Sequence, residues 1–212
     1  MAAWGSFRLV RAGRVPYDEA WERQREFAAE VRAGADPVLL LLEHPPVFTL
    51  GKHADEANLL NPGKIPVRRI DRGGDVTWHG PGQLVAYPIL SLRERRLGVR
   101  GHVEALERAI VAVAAEYGVT ASPKAGCVGV WTAAGKLASI GIRVAAGVTM
   151  HGAAFNVDPD LASFALINPC GVKGGAVTSL AAESGRRVAF AEVEAAFARA
   201  FAREYRFPPP AL

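Results

Sequence analysis

Residues 128–131, 136–145 and 148–157 form three strand-like runs in succession, joined by glycine-containing turns with no helical segment between them. Short turns return a strand antiparallel, because a parallel return needs a crossover of a dozen residues or more. Further strand-like runs lie at 7–11, 37–43, 47–50, 67–70, 75–78 and 83–92. Helical periodicity runs through 17–32 after Pro16, with Trp21, Phe27 and Val31 as its apolar positions. It recurs at 101–117 and at 190–205, just before three prolines. A helical turn is read at 179–183, while 51–66 and 158–176 carry little or no period. Hairpins in the middle, with helices between and at the end, predict an α+β fold. Helices pack on a mostly antiparallel or mixed sheet, not on a doubly wound parallel one.

The chain has 212 residues, half of them hydrophobic, enough for a buried core without disulfides or metal. No repeat or linker divides it, so residues 1–212 read as a single domain. No apolar run approaches the ~20 residues of a membrane span, and the start lacks a basic-then-apolar leader pattern. A cytoplasmic protein with no membrane association is expected, and a monomer is the default. The net charge of +4 rests on 20 Arg against 5 Lys, a mild basic excess suited to an acidic partner. Arg93, Arg95, Arg96 and Arg100 cluster, but the basic residues are otherwise scattered without interleaved aromatics, so no nucleic acid is expected. The two cysteines, Cys127 and Cys170, and the dispersed histidines match no zinc spacing, and no metal is expected.

Three segments are richer in glycine and polar residues than a core element needs. The first is Arg72-Gly73-Gly74-Asp75-Val76-Thr77-Trp78-His79-Gly80-Pro81-Gly82, where bare backbone can approach a ligand closely; a tight bulged hairpin is the competing reading. It is neither a phosphate-cradling nor a dinucleotide pattern. The second is 135–143, where Lys136 opens a strand flanked by Gly135, Ser139 and Gly141. A lysine there is ordinarily a solvated edge residue, yet lysine is rare in this chain. The third is 151–157 followed by Pro169-Cys170-Gly171. A cysteine in an irregular turn exposes its thiol, and a nearby cation lowers its pKa from ~8.5. Lys136 is one candidate for that cation; His79 and His151 are alternatives as a base. Cys127 reads as a small buried hydrophobe.

Residues 72–89, with Glu43-His-Pro-Pro-Val-Phe-Thr-Leu-Gly51, 135–141, 149–157 and Pro169-Cys170-Gly171, resemble the signatures of the lipoyl(octanoyl) transferases. The resemblance implies the fold of biotin and lipoate protein ligases and a ping-pong acyl transfer. Octanoyl passes from the phosphopantetheine thioester of acyl carrier protein to a lysine of a lipoyl domain, in 2-oxoacid dehydrogenase complexes or the glycine cleavage H protein. It implies Cys170 as the acyl-thioester nucleophile and Lys136 as its pKa-lowering partner. Substrate-binding segments would be Arg72–His79, Ser139-Ile140-Gly141 and Gly152-Ala153-Ala154, with His151 auxiliary. No cofactor, ATP or metal is implied. Backbone near Gly171, and His79, are candidate oxyanion donors, and Val76, Leu84 and Ile140 are expected to line the acyl slot. Trp78, Leu137 and Phe155 depart from the family's usual residues, which bears on chain-length preference. The rivals are an ATP-dependent ligase of the same fold and a non-catalytic module holding acyl carrier protein or a lipoyl domain.

Overall fold

The computed structural model describes residues 5–168 and 175–210. Pro169, Cys170 and Gly171 therefore lie outside the described residues. Among the described residues, ten strands and four α-helices run in the order β1 (Arg8–Arg14), α1 (Tyr17–Arg32), β2 (Val38–Glu43), β3 (Val47–Leu50), β4 (Val67–Arg69), β5 (Val76–His79), β6 (Gln83–Ile89), α2 (Val99–Glu116), β7 (Ser122–Lys124), β8 (Cys127–Trp131), β9 (Lys136–Ala145), β10 (Val148–Asn156), α3 (Leu180–Ser184) and α4 (Phe190–Glu204). Seven strands form one sheet ordered β1-β2-β6-β10-β9-β8-β7, and three form a small sheet ordered β4-β3-β5. The pairs β1–β2 and β3–β4 are parallel and the others antiparallel. The α+β reading with a mixed sheet holds.

Strand β2 shows how the layers form. Its apolar run is buried on both faces: Leu39 and Leu41 join a core under α2 and α4, while Val38, Leu40 and Leu42 join a second core under α1. A near-continuous apolar strand is what burial on both faces demands. The inward face of α1 is Tyr17, Ala20, Gln24, Ala28 and Val31, a three-and-four spacing. Of the three expected apolar positions only Val31 is fully inside. Trp21 and Phe27 sit at the rim, where Arg25 and Arg8 lie over their rings at 4.2 and 4.8 Å. Such amphipathic rim positions gain from a cation on the ring face.

The small sheet carries its own apolar cluster, in which Phe48, Leu50, Val76 and Trp78 pack on Phe164 and Ile167. It is fastened to the large sheet by a strap at residues 72–75. The Gly73 N–H donates to the Ile142 carbonyl at 2.9 Å, and Lys52 N–H donates to the Arg72 carbonyl at 2.9 Å. Gly51 and Gly141 flank this strap. A Cβ on Gly51 would meet the Gly74 carbonyl oxygen at 2.3 Å, and one on Gly141 would meet Arg72 Cδ and the Gly73 oxygen at 2.9 Å.

Candidate active site

Between the strap and the large sheet lies a cavity lined by residues of both. Its floor is a patch of small residues on adjacent strands: Ser139 pairs with Ala154 and Gly141 with Gly152 across the β9–β10 ladder. Ile140 and Ala153 also reach it, and Arg72, residues 74–77 and His79 cover it from above. Most of the segments singled out in the sequence thus converge on one space. Gly73 and Trp78 do not line it. Gly73 is spent on the strap bond to Ile142, and Trp78 turns into the satellite core against Phe164, ring centroids 5.2 Å apart. Gly80 has no side chain because a Cβ there would strike the Trp78 ring at 2.1 Å. Leu84 was expected in the acyl slot but points to the α2/α4 core, and the next residue on β6, Val85, lines the cavity instead. A one-residue offset on a strand changes the face.

Lys136 stands at the mouth, 6% exposed, with Nζ 4.9 Å from the centroid of the Trp131 ring. It is no solvated edge residue. Gly129 makes room for its stem: with φ at +134°, a Cβ there would lie 3.1 Å from Lys136 Cε and 2.5 Å from the Ala138 oxygen. The Gly129 N–H is held by the buried Glu107 carboxylate of α2 at 3.0 Å. The chain beyond residue 174 clasps the backbone of Lys136. Lys136 N–H donates to the Ala176 carbonyl at 2.9 Å, and Thr178 N–H donates to the Lys136 carbonyl at 3.0 Å.

A chain of hydrogen bonds joins the cover to this clasp. Arg72 Nη2 donates to Thr49 Oγ1 at 2.9 Å, and Thr49 Oγ1 faces His79 Nε2 at 3.3 Å. His79 Nδ1 lies 2.8 Å from Gln83 Oε1, Gln83 Nε2 donates to Asn156 Oδ1 at 2.9 Å, and Asn156 Nδ2 donates to the Thr178 carbonyl at 3.0 Å. Burial, then the nearby His44, hold the His79 pKa well below the ordinary value. Neutral His79, with Nδ1–H donated to Gln83 and Nε2 accepting from Thr49, has no N–H left for an oxyanion.

The far end is aromatic, and of its residues only His151 was singled out in the sequence. Tyr17 from α1 and Tyr87 from β6 line it beside His151. His151 takes a left-handed backbone, φ +57°, uncommon for a residue with a Cβ. It is held in three ways: its N–H donates to Gln24 Oε1 at 2.7 Å, its Nε2 lies 2.8 Å from Asp71 Oδ1, and its Nδ1 faces the Tyr17 hydroxyl at 3.5 Å. Burial lowers the His151 pKa, with Asp71 opposing. The hydrogen bond from His151 is in turn the main cause lowering the Asp71 pKa. A neutral imidazole donating Nε2–H to the carboxylate satisfies both. Arg143 pairs with the other Asp71 oxygen. Behind the wall, His44 Nδ1 donates to the Val15 carbonyl at 2.7 Å and its Nε2 accepts the Tyr87 hydroxyl proton at 2.8 Å. Among the described residues, no group of histidine, cysteine, aspartate or glutamate is arranged to hold a metal ion.

Known proteins share both the fold and the sequence. Residues 16–202 match the model of the lipoyl protein ligase A/B catalytic domain. An octanoyltransferase of Geobacter sulfurreducens is 50% identical over 196 residues, 92% of this chain and 83% of that one. A bi-partite lipoate protein ligase of Thermoplasma acidophilum superposes with a TM-score of 0.77 at 16% identity, over 99% of this chain and 87% of the other. The biotin protein ligase of Aquifex aeolicus, solved with biotin and ATP, does so at 0.60 and 13% identity, over 94% and 70%. At those identities the two ligases speak for the fold alone, whereas the octanoyltransferase match extends to the sequence. The chain belongs to the octanoyltransferases, acyltransferases built on the lipoyl protein ligase A/B catalytic domain.

Proposed function

We propose that this chain moves an octanoyl group from the phosphopantetheine thioester of acyl carrier protein to the ε-amine of a lysine on a lipoyl domain, through an acyl-thioester on Cys170. The acceptors would be the lipoyl domains of 2-oxoacid dehydrogenase complexes and the glycine cleavage H protein. The enzyme acts in the cytoplasm as a single-domain monomer, without ATP, metal or other cofactor. No helix among the described residues is long and apolar enough to cross a membrane.

The observation that carries this reading is the seat of Lys136. Its buried side chain borders the cavity, and its backbone is bonded to Ala176 and Thr178, a few residues beyond Cys170. Asn168, two residues before Cys170, is also buried and donates its N–H to the Asn58 carbonyl at 2.8 Å. In the proposed reaction Lys136 takes the Cys170 proton or stabilises the thiolate. The sulfur attacks the thioester carbonyl, a C–S bond forms, and the carrier thiol leaves with a proton. A lipoyl-domain lysine then attacks the new thioester, the amide forms, and Cys170 departs as thiolate while the amine proton passes to Lys136. Thioester to amide is downhill, and splitting the transfer replaces one difficult step with two easier ones.

Intact-mass spectrometry after incubation with octanoyl-acyl carrier protein, without ATP, tests it. An octanoyl adduct is expected on wild type and on Cys127→Ser, and none on Cys170→Ser. An adduct that persists in Cys170→Ser, or one that requires ATP, refutes the reading.

A further inference from the structure

The cavity follows β9 from Lys136 at its mouth to Gly141 and Gly152, and Ile142 lies opposite His151 in the ladder. From Lys136 to Gly141 the strand advances five residue steps, roughly 17 Å, and what matters for an acyl chain is where the space along it stops. The stop is the aromatic wall. Tyr17, Tyr87 and His151 are 6%, 4% and 1% exposed and lean on a second rank behind them. Tyr17 packs on His44 and His79 with centroids 5.0 and 6.1 Å away, and Tyr87 on His151 at 6.3 Å. Tyr87 is tied to His44 and His151 to Asp71. Swinging either aside would strand buried polar atoms, which is costly. Tyr17 is the one member of this wall that comes from α1 and not from the large sheet. Shortening its side chain opens that end of the cavity and leaves the side chains of both strands in place.

We propose that Tyr17 sets the longest acyl chain this site accepts. The proposal rests on the octanoyl-transfer reading above and adds a specificity-determining residue to it. A wall fixed in place excludes extra carbons sterically, whereas a pocket that merely binds apolar chains gains with each added methylene. Removing the Tyr17 ring frees space comparable to about four methylenes, the difference between C8 and C12. Discrimination by one methylene is worth roughly 10-fold or more in kcat/KM.

The test measures kcat/KM with acyl carrier protein loaded with C6, C8, C10 or C12 chains, for wild type, Tyr17→Ala, Tyr17→Leu and Tyr17→Phe. The quantity read is the C12-to-C8 ratio within each protein, which a loss of folded enzyme does not move. The ratio is expected to rise at least tenfold in Tyr17→Ala and part of the way in Tyr17→Leu, and to stay within threefold in Tyr17→Phe, which keeps the ring. If Tyr17→Ala folds too poorly to assay, Tyr17→Leu decides alone. A ratio within twofold of wild type in the Ala or Leu variant overturns the proposal, and so does a rise in Tyr17→Phe as large as in Tyr17→Ala. Wild type that transfers no chain of any length refutes the octanoyl-transfer reading itself.

Discussion

Gly141→Ala puts a methyl group where the strap crosses β9. The new Cβ would lie 2.9 Å from both Arg72 Cδ and the Gly73 carbonyl oxygen. Neither neighbour can yield easily. Arg72 is bonded to the Thr49 carbonyl and hydroxyl at 2.8 and 2.9 Å and is bounded on its other side by Gly51. Gly73 is bonded to Ile142. Overpacking of this kind costs about 1–3 kcal/mol, and loosening the Gly73–Ile142 hydrogen bond adds about 1 kcal/mol. Alanine in place of glycine returns about 0.5–1 kcal/mol through backbone entropy. The net loss is about 1–3 kcal/mol, or roughly 3–10 °C in Tm for a chain of this size. Differential scanning calorimetry measures it, with Gly73→Ala as the internal comparison. A Cβ on Gly73 meets only the Ile142 oxygen at 3.5 Å, ordinary van der Waals contact, so its Tm should move by no more than about 2 °C. Equal Tm shifts in the two variants would refute the account of the strap as a close-packed crossing.

Gly129→Ala should cost at least about 2 kcal/mol, because it combines a φ that disfavours any side chain with a contact at 2.5 Å to the Ala138 oxygen; it should also depress octanoyl transfer by displacing the Lys136 stem, read by urea melts beside a transfer assay. Lys136→Arg should lower transfer at least 100-fold, since a guanidinium stays protonated; near-normal rates would reduce Lys136 to a positive charge. His44 and His102 are fully buried and their pKa values are lowered by burial to about 4. The unfolded chain therefore binds more protons below pH 6.5, and stability contributed by the neutral rings is lost as pH falls from about 6.5 towards 4. Urea unfolding at pH 7 and pH 5 should differ by about 2 kcal/mol per histidine as an upper bound; equal stability at the two pH values would contradict the burial of neutral rings.

Elements with a strong local period were legible to the residue. Helix α1 and strands β3 and β9 have the bounds their periodicity predicts. Strand β7 was missed because Ser122–Lys124 is exposed throughout and contains Pro123, leaving no alternation to read. The parallel pairs β1–β2 and β3–β4 join runs whose partners are set by packing, which no local pattern encodes. At the site, glycine-rich segments gave away the floor and the cover. Of the far wall only His151 was legible, since Tyr17 reads as an ordinary first-turn residue and Tyr87 as one aromatic in a strand. Asp71 and Gln24 matter only through His151, and Glu107 only through Gly129. Such partners are distant in sequence and carry no motif.

The clasp on Lys136 also has a consequence for how the molecule comes into being. A ribosome delivers the N-terminal part first, so β9 and most of the large sheet emerge well before Ala176 and Thr178 exist to bond Lys136. The lysine's backbone seat, like the Asn156–Thr178 link behind it, is a late, long-range closure of the kind that slows folding. A nascent or truncated chain that reaches residue 156 can hold both strands of the cavity floor and still lack the finished backbone seat of Lys136.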